Sequence, residues 1–144
     1  MTIDTISVLA KEKNLSIHAT TFDARSTLPF DSNYFDAIYS HMFYNMQFTC
    51  KELDMLFKEV NRILKYEGLH LFSVRSDHDA FYKKGMQVTD KIYDINGFQI
   101  RFFTTDDIIT FVTGGHFQSS KITKGYEDPA SLYFVFCLKR EEGI

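Results

Sequence analysis

The most constraining feature of the sequence is a change of hydrophobic period within one short stretch. Apolar residues recur every three or four positions from Leu53 to Leu64, the period of an amphipathic helix. The apolar run Leu69–Val74 follows almost at once and is typical of a strand that is buried on both faces. A helix that leads into a buried strand predicts a layered α/β fold, and 144 residues are enough for a single domain over 1–144.

The ends of this helix carry recognisable signals. Thr49 and Glu52 form a capping box, in which each side chain can accept a hydrogen bond from a free backbone N–H of the first turn. Gly68 follows the helical pattern, and we expect it to supply the left-handed residue that ends the helix.

The other segments alternate between the same two periods. We predict helices over residues 4–13 and 106–113, the second capped by Thr104 or Thr105. Residues 76–94 form a polar connection, and 97–103 are predicted to include a short strand. Further strands are predicted over four segments, of which the last two form an antiparallel pair around Asp128–Pro129: Ser16–Phe22, Phe35–Ser40, Phe117–Lys124 and Leu132–Lys139.

Charge and hydropathy exclude several functions. The formal net charge is −3, and basic residues occur in pairs at most, which argues against a nucleic-acid partner. No apolar run is long enough to span a membrane, and the acidic opening around Asp4 is unlike a signal peptide, so we expect a cytoplasmic chain. Asp77-His78-Asp79 lacks further clustered ligands, so we expect a solvated loop and no metal site. Cys50 and Cys137 are expected to be buried free thiols.

The distribution of glycine adds a sharper exclusion. The chain has seven glycines, and the first of them is Gly68. Residues 1–67 therefore contain no glycine-rich turn of the kind that cradles phosphate groups.

Four segments in combination resemble a class I S-adenosylmethionine-dependent methyltransferase. They are Phe22–Arg25, Leu28–Phe30, Tyr34–His41 and Leu56–Lys65, and the likeness extends over about residues 4–140. The resemblance implies an incomplete Rossmann-like methyltransferase sheet with the family's strands three to seven, flanking helices and a C-terminal antiparallel strand pair. The glycine-rich turn and the ribose-binding acid of the family have no counterpart here, so we expect the N-terminal cofactor-binding part to be lacking.

Loss of the family's first two strands would leave the strand Phe35–Ser40 with an unpaired edge, because those strands occupy the centre of the family's sheet. Three arrangements could cover the edge: direct pairing with Ser16–Phe22, a homodimer, or completion by a partner chain. We expect the isolated chain to self-associate.

The resemblance also implies a set of site residues. Asp23 would accept a hydrogen bond from the adenine amino group, and the amide of Ala24 would face a ring nitrogen. Ser40 and His41 would line the methionine end of the cofactor and face the methyl acceptor, with His41 the candidate general base. The open alternatives are that Asp23 caps a turn, Ser40 satisfies a strand end and His41 makes a structural polar contact.

Two functions follow as expectations. The first is S-adenosylmethionine-dependent methylation of a small molecule, with the cofactor half completed by missing sequence or a partner. The second is a non-catalytic methyltransferase remnant that serves as a protein-interaction module. The contacts left for the cofactor fall well short of the roughly 8 kcal/mol that micromolar binding requires, so the isolated chain should bind it weakly or not at all. The aromatic residues Phe43, Tyr44 and Phe48 could wall a substrate pocket or pack against the helix.

Overall fold

The computed structural model describes residues 2–89 and 91–140. Its elements in chain order are α1 (Ile3–Glu12), β1 (Phe35–His41), α2 (Cys50–Ile63), β2 (Leu64–Arg75), β3 (Met86–Thr89), β4 (Ile92–Ile95), β5 (Phe98–Arg101), α3 (Thr105–Gly114), β6 (Phe117–Glu127) and β7 (Ala130–Lys139). In the described ranges, no helix is long and apolar enough to cross a membrane.

The main sheet has the strand order β1-β2-β7-β6, and a separate meander consists of β3, β4 and β5. Strands β1 and β2 are parallel, whereas β2 with β7 and β7 with β6 are antiparallel. The predicted α/β class, flanking helices and C-terminal antiparallel pair are confirmed. The turn of that pair is tight, since Glu127 pairs directly with Ala130.

The prediction of a strand at Ser16–Phe22 is wrong. This segment forms no strand, and among residues 2–89 and 91–140 the one strand that pairs with β1 is β2. Alternating apolar residues favour a strand only where a neighbouring backbone completes the ladder, and none lies beside this segment among the described residues. Direct pairing of Ser16–Phe22 with β1, the first of the three arrangements that could cover the edge, is therefore absent from the described residues.

Helix α2 begins as the sequence predicts but ends earlier. Thr49 and Glu52 form both hydrogen bonds of the capping box, at 3.1 and 2.9 Å. Leu64 already has extended backbone angles, so Gly68 does not end the helix and instead lies within β2. A Cβ atom at Gly68 would approach the Lys65 carbonyl oxygen to 2.6 Å, so close backbone packing at an irregularity in the β1–β2 pairing explains the glycine.

The two faces of the main sheet are covered unequally. Helices α2 and α3 pack on the face that carries His70, Phe72 and Val74, which we call the inner face, and they form the core with it. On the opposite, outer face, Tyr39, Leu71 and Phe136 form one cross-strand row. Tyr39 is 65% exposed and Phe136 is 41% exposed, so this row is open to solvent.

Arg62 fastens the loop before β1 to helix α2. Its guanidinium donates to the carbonyl oxygens of Leu28 and Phe30 at 3.0 and 2.9 Å and pairs with Glu59 at 2.7 Å. Glu59 in turn accepts a hydrogen bond from the amide of Leu28 at 2.8 Å. These charge-assisted hydrogen bonds hold the loop against helix α2, although the loop itself has no regular secondary structure.

Two sequence predictions about polar residues are wrong. Asp79 is 5% exposed rather than solvated, because it forms a bidentate ion pair with Arg75 at 2.6 and 2.9 Å. Cys50 is exposed, while Cys137 is buried as expected, and both thiols are free. Cys50 occupies the first position of α2, at the end of the helix, and its sulfur accepts a hydrogen bond from Nη1 of Arg101 at 3.7 Å.

His70 is a buried core histidine, and we predict that it makes stability depend on pH. Burial lowers its pKa to about 3. Because an unfolded histidine titrates near 6.5, the unfolded state binds more protons below that pH, and stability present above about pH 6.5 is lost as the pH falls. We expect the unfolding free energy to decrease by about 2 kcal/mol between pH 7 and pH 5 from this residue. Urea denaturation of wild type and His70→Phe measures the difference in slope, with the exposed His18→Gln as control. Equal slopes for wild type and His70→Phe would contradict the prediction.

Asp79→Ala should lower the unfolding free energy by about 3–5 kcal/mol at pH 7, since it leaves the Arg75 guanidinium without its buried partner. Burial acts to raise the pKa of Asp79, but hydrogen bonds from Arg75 and from the amides of Phe81 and Ser131 outweigh it, so the pKa lies below its ordinary value. The stabilisation is therefore present above about pH 4 and lost as the pH falls through the folded-state pKa. The control is Asp36→Ala, which breaks an exposed pair with Lys65 and should cost less than about 1 kcal/mol.

Candidate functional site

The carboxyl end of β1 lies beside the end of β2, where parallel strands of an open sheet place their ligands. His41 is the last residue of β1 and pairs in register with Ser73 of β2. The Ser73 hydroxyl lies 2.6 Å from Nδ1 of His41, and Glu127 lies 2.7 Å from Nε2. Both ring nitrogens of His41 therefore have partners.

The chain turns sharply directly after His41. Met42 has a φ of 51°, which is the left-handed region that a residue with a side chain rarely adopts. Its amide donates to both the carbonyl and the hydroxyl oxygen of Ser73, each at 3.0 Å. Backbone strain of this kind persists where surrounding contacts enforce it, and here they hold the strand end in one geometry.

Ser40 points away from this cluster, because neighbouring residues of a strand face opposite sides. Its hydroxyl oxygen is buried and has no hydrogen-bond partner of good geometry among the described residues. Burial raises the pKa of Tyr44, and the nearby Ser40 hydroxyl opposes this rise. The Tyr44 hydroxyl instead lies 2.8 Å from Nε2 of His70. Ser40 thus belongs to the buried inner side and His41 to the accessible end of the strand.

Asp23 lies in the loop before β1 and forms an ion pair with Arg25. The guanidinium of Arg25 donates to both carboxylate oxygens at 3.0 Å, and the Arg25 amide donates to Oδ1 at 2.9 Å. These hydrogen bonds lower the pKa of Asp23. One lone-pair position of Oδ2 stays available, so the carboxylate can still accept a hydrogen bond from a ligand amine.

Two clefts adjoin these residues. An apolar cleft of about 520 Å³ runs along β1 between the preceding loop and α2, and its lining includes Ala24, Ser40 and Phe43. A more polar cleft of about 670 Å³ is lined by Asp23, Ala24, Phe43 and Met46. Its aromatic and thioether groups beside a carboxylate suit a flat heterocycle with an exocyclic amine. This pairing fits the adenine end of S-adenosylmethionine.

The structure brings together only part of the predicted site. Ala24 adjoins both clefts and links Asp23 in one to Ser40 in the other, whereas His41 lines neither. The assigned roles of Asp23, Ala24, Ser40 and His41 remain predictions. Phe43 lines both clefts, Tyr44 lines the first and Phe48 lines the second, while Tyr44 and Phe48 are also buried in the core. The packing alternative is therefore confirmed for Tyr44 and Phe48, and a role in a substrate pocket remains a prediction.

Sequence reasoning missed Ser73 and Glu127. Ser73 is fully buried inside an apolar strand, and Glu127 lies 86 positions after His41 in the chain, where only the fold of the terminal hairpin brings it near. A polar residue inside the run Leu69–Val74 was the one available signal.

Both acidic residues of the segment 77–79 form hydrogen bonds or ion pairs within the fold. Asp77 accepts a hydrogen bond from the Tyr133 hydroxyl at 2.7 Å, and Asp79 is held by Arg75. Within residues 2–89 and 91–140, no group of three or more His, Cys, Asp or Glu side chains is arranged to hold a metal ion.

Comparison with known proteins is consistent with this geometry. Residues 3–72 match the family model of a methyltransferase domain. None of the curated protein sequences matches the chain.

Solved structures give the same fold. A S-adenosylmethionine-dependent methyltransferase from Methanosarcina mazei has a TM-score of 0.80 at 17% identity, with 97% of this chain and 78% of that chain covered. One from Clostridium acetobutylicum has a TM-score of 0.74 at 14% identity, with 96% and 71% covered. The 1,6-didemethyltoxoflavin-N1-methyltransferase of Burkholderia thailandensis has a TM-score of 0.70 at 12% identity, with 94% and 56% covered.

The chain thus spans between 56% and 78% of the lengths of these three proteins. Identities this low establish the fold, and the family match covers residues 3–72. Residues 3–72 thus match the methyltransferase-domain family, and nearly the whole chain has the fold of S-adenosylmethionine-dependent methyltransferases.

Proposed function

We propose that this domain takes part in S-adenosylmethionine-dependent methylation of a small molecule. The observation that carries the proposal is the cleft of about 670 Å³ in which Asp23 stands beside Phe43 and Met46. The cofactor would supply a methyl group on a sulfonium, which is a good leaving group. The protein's task is then chiefly to align the acceptor.

Two further observations favour a small acceptor over a nucleic acid. The formal net charge is −3, and basic residues occur along the sequence in pairs at most, which offers little to a phosphate backbone. The similar Burkholderia protein carries 1,6-didemethyltoxoflavin, a small molecule, together with S-adenosylhomocysteine.

We also propose that cofactor affinity requires additional strands on the free edge of β1. The apolar cleft along β1 is lined by Phe30, Ile38 and Leu56 and lies open beside that edge. Residues 1–67 contain no glycine-rich turn that could bind the rest of the cofactor. Asp23 and its neighbours therefore fit the adenine end, whereas another segment would bind the ribose and complete the methionine end beside Ser40 and His41.

The same edge supports a second candidate function, that of a protein-interaction module. An edge strand exposes unpaired N–H and C=O groups that can pair with another chain. In the isolated protein we propose that the occupant is a second copy, with β1 pairing antiparallel to its counterpart. A two-fold axis near Ile38 would place Asp36 opposite Ser40 of the other copy and would set no like charges face to face.

Calorimetry with S-adenosylhomocysteine tests the cofactor proposal. We expect the isolated chain to bind more weakly than about 100 µM, because only the adenine end has its contacts. Low-micromolar binding would contradict the need for additional strands.

A matched pair of variants tests the role of Asp23 at millimolar ligand by NMR titration. Asp23→Ala and Arg25→Ala both remove the ion pair, but only the first removes the acceptor for the adenine amine. We expect Asp23→Ala to weaken binding by about tenfold, as for loss of a hydrogen bond to a charged group. Arg25→Ala should bind at least as well as wild type. Equal losses in both variants would contradict the adenine assignment.

Self-association is tested by sedimentation at tens of micromolar. We expect wild type to be dimeric and Tyr39→Lys to be monomeric, since a charge at the exposed centre of β1 opposes edge pairing. Tyr126→Lys is the control, because Tyr126 is equally exposed but lies at the far edge of the sheet. A monomeric wild type would contradict the proposal.

A further inference from the structure

A continuous chain of hydrogen bonds ends at the accessible tip of β1. It runs from the Met42 amide to the Ser73 hydroxyl at 3.0 Å, from that hydroxyl to Nδ1 of His41 at 2.6 Å, and from Nε2 to Glu127 at 2.7 Å. The first part lies in the interior, since Ser73 is fully buried, while the Glu127 side chain is 57% exposed.

The chemistry of the partners fixes where the protons lie on the neutral ring. An ionised Glu127 carboxylate can only accept, so Nε2 of His41 must carry a proton and donate it. Nδ1 of a neutral imidazole is then an acceptor, and the Ser73 hydroxyl must donate to it. The Ser73 oxygen remains able to accept from the Met42 amide, so each polar atom in this series of hydrogen bonds has a defined donor or acceptor role.

This arrangement gives His41 a different role from that of a general base. Its basic nitrogen, Nδ1, is turned inward and occupied by a buried hydroxyl, and the nitrogen that faces outward carries the proton. We propose that Ser73 and Glu127 are positioning residues that hold His41 in the Nε2–H form, and that His41 serves the methyl acceptor as a hydrogen-bond donor.

The proposal, which rests on the proposed methyltransferase function, also names the class of acceptor. Glu127 projects from the turn between β6 and β7 and is more exposed than His41, so a ligand can displace it while Ser73 stays in place. A group that takes its position must accept from Nε2–H, because an unpaired donor would cost binding energy. The best match for what it replaces is an anionic oxygen, as in a carboxylate, enolate or phenolate.

The first test is direct observation of the tautomer. Nitrogen-15 NMR of the neutral ring, at a pH above its titration as read from the same spectra, distinguishes a protonated Nε2 from a protonated Nδ1. We expect wild type to show the Nε2–H form of His41, and Ser73→Ala to show a mixture of the Nε2–H and Nδ1–H forms. Ser73→Thr keeps the hydroxyl and should restore the Nε2–H form. A protonated Nδ1 in wild type would overturn the proposal, and this result needs no variant to fold.

The second test uses acetate as the probe for an anionic oxygen. In Glu127→Ala, we expect acetate to shift the Nε2 resonance of His41 saturably, because the donor has lost its partner. Asp128→Ala is the control, since Asp128 lies on the same turn but bonds to Tyr126, and it should show at most a tenth of the shift. An equal response in both variants, or none in Glu127→Ala, would overturn the assignment of the acceptor class. Neither measurement involves the cofactor or turnover, so failure of methylation and failure of this inference remain distinguishable.

Discussion

The rest of the structure depends on the fact that, in the part of the chain that the structure describes, β1 pairs with another strand along one edge only. That edge pairs with β2, and beside the other edge lies no strand but a loop that Arg62 holds against α2. This leaves an apolar cleft along the edge and an open row of apolar side chains on the outer face. The proposed binding of a cofactor and the proposed association with a second copy would therefore involve the same strand.

Much of this arrangement could be predicted from sequence because it depends on local signals. The capping boxes at Thr49 and Thr104 and the apolar period behind them define two helices, and the run Leu69–Val74 defines the central strand. The predictions that Ser16–Phe22 forms a strand and that Gly68 ends helix α2 are wrong for different reasons. A strand pattern needs a partner that the sequence does not show, and a glycine after a helix can equally serve close backbone packing within a strand.

For the candidate site, the sequence predicts only the residues that the methyltransferase resemblance marks. The resemblance identifies Asp23 and His41 as candidate site residues. Their hydrogen-bond and ion-pair partners, however, are Arg25 for Asp23, and Ser73 and Glu127 for His41. Of these, Glu127 is contributed by the other edge strand of the sheet, so its contact with His41 arises only in the assembled fold and leaves no local signal in the sequence. Residue types indicate which side chains can accept or transfer a proton. Which atom of a hydrogen bond donates and which accepts depends on the partners that the assembled fold supplies.

The strand order also has a consequence for synthesis on the ribosome. Strand β2 lies between β1 and β7, and β7 is the last strand of the described chain. Until β7 has left the exit tunnel, one side of β2 has no backbone partner, and α2 and α3 have only part of the inner face to pack on. A nascent chain therefore presents the apolar run Leu69–Val74 with one edge unpaired from the time this run emerges until β7 follows it, and during that interval the run is open to contacts with other proteins.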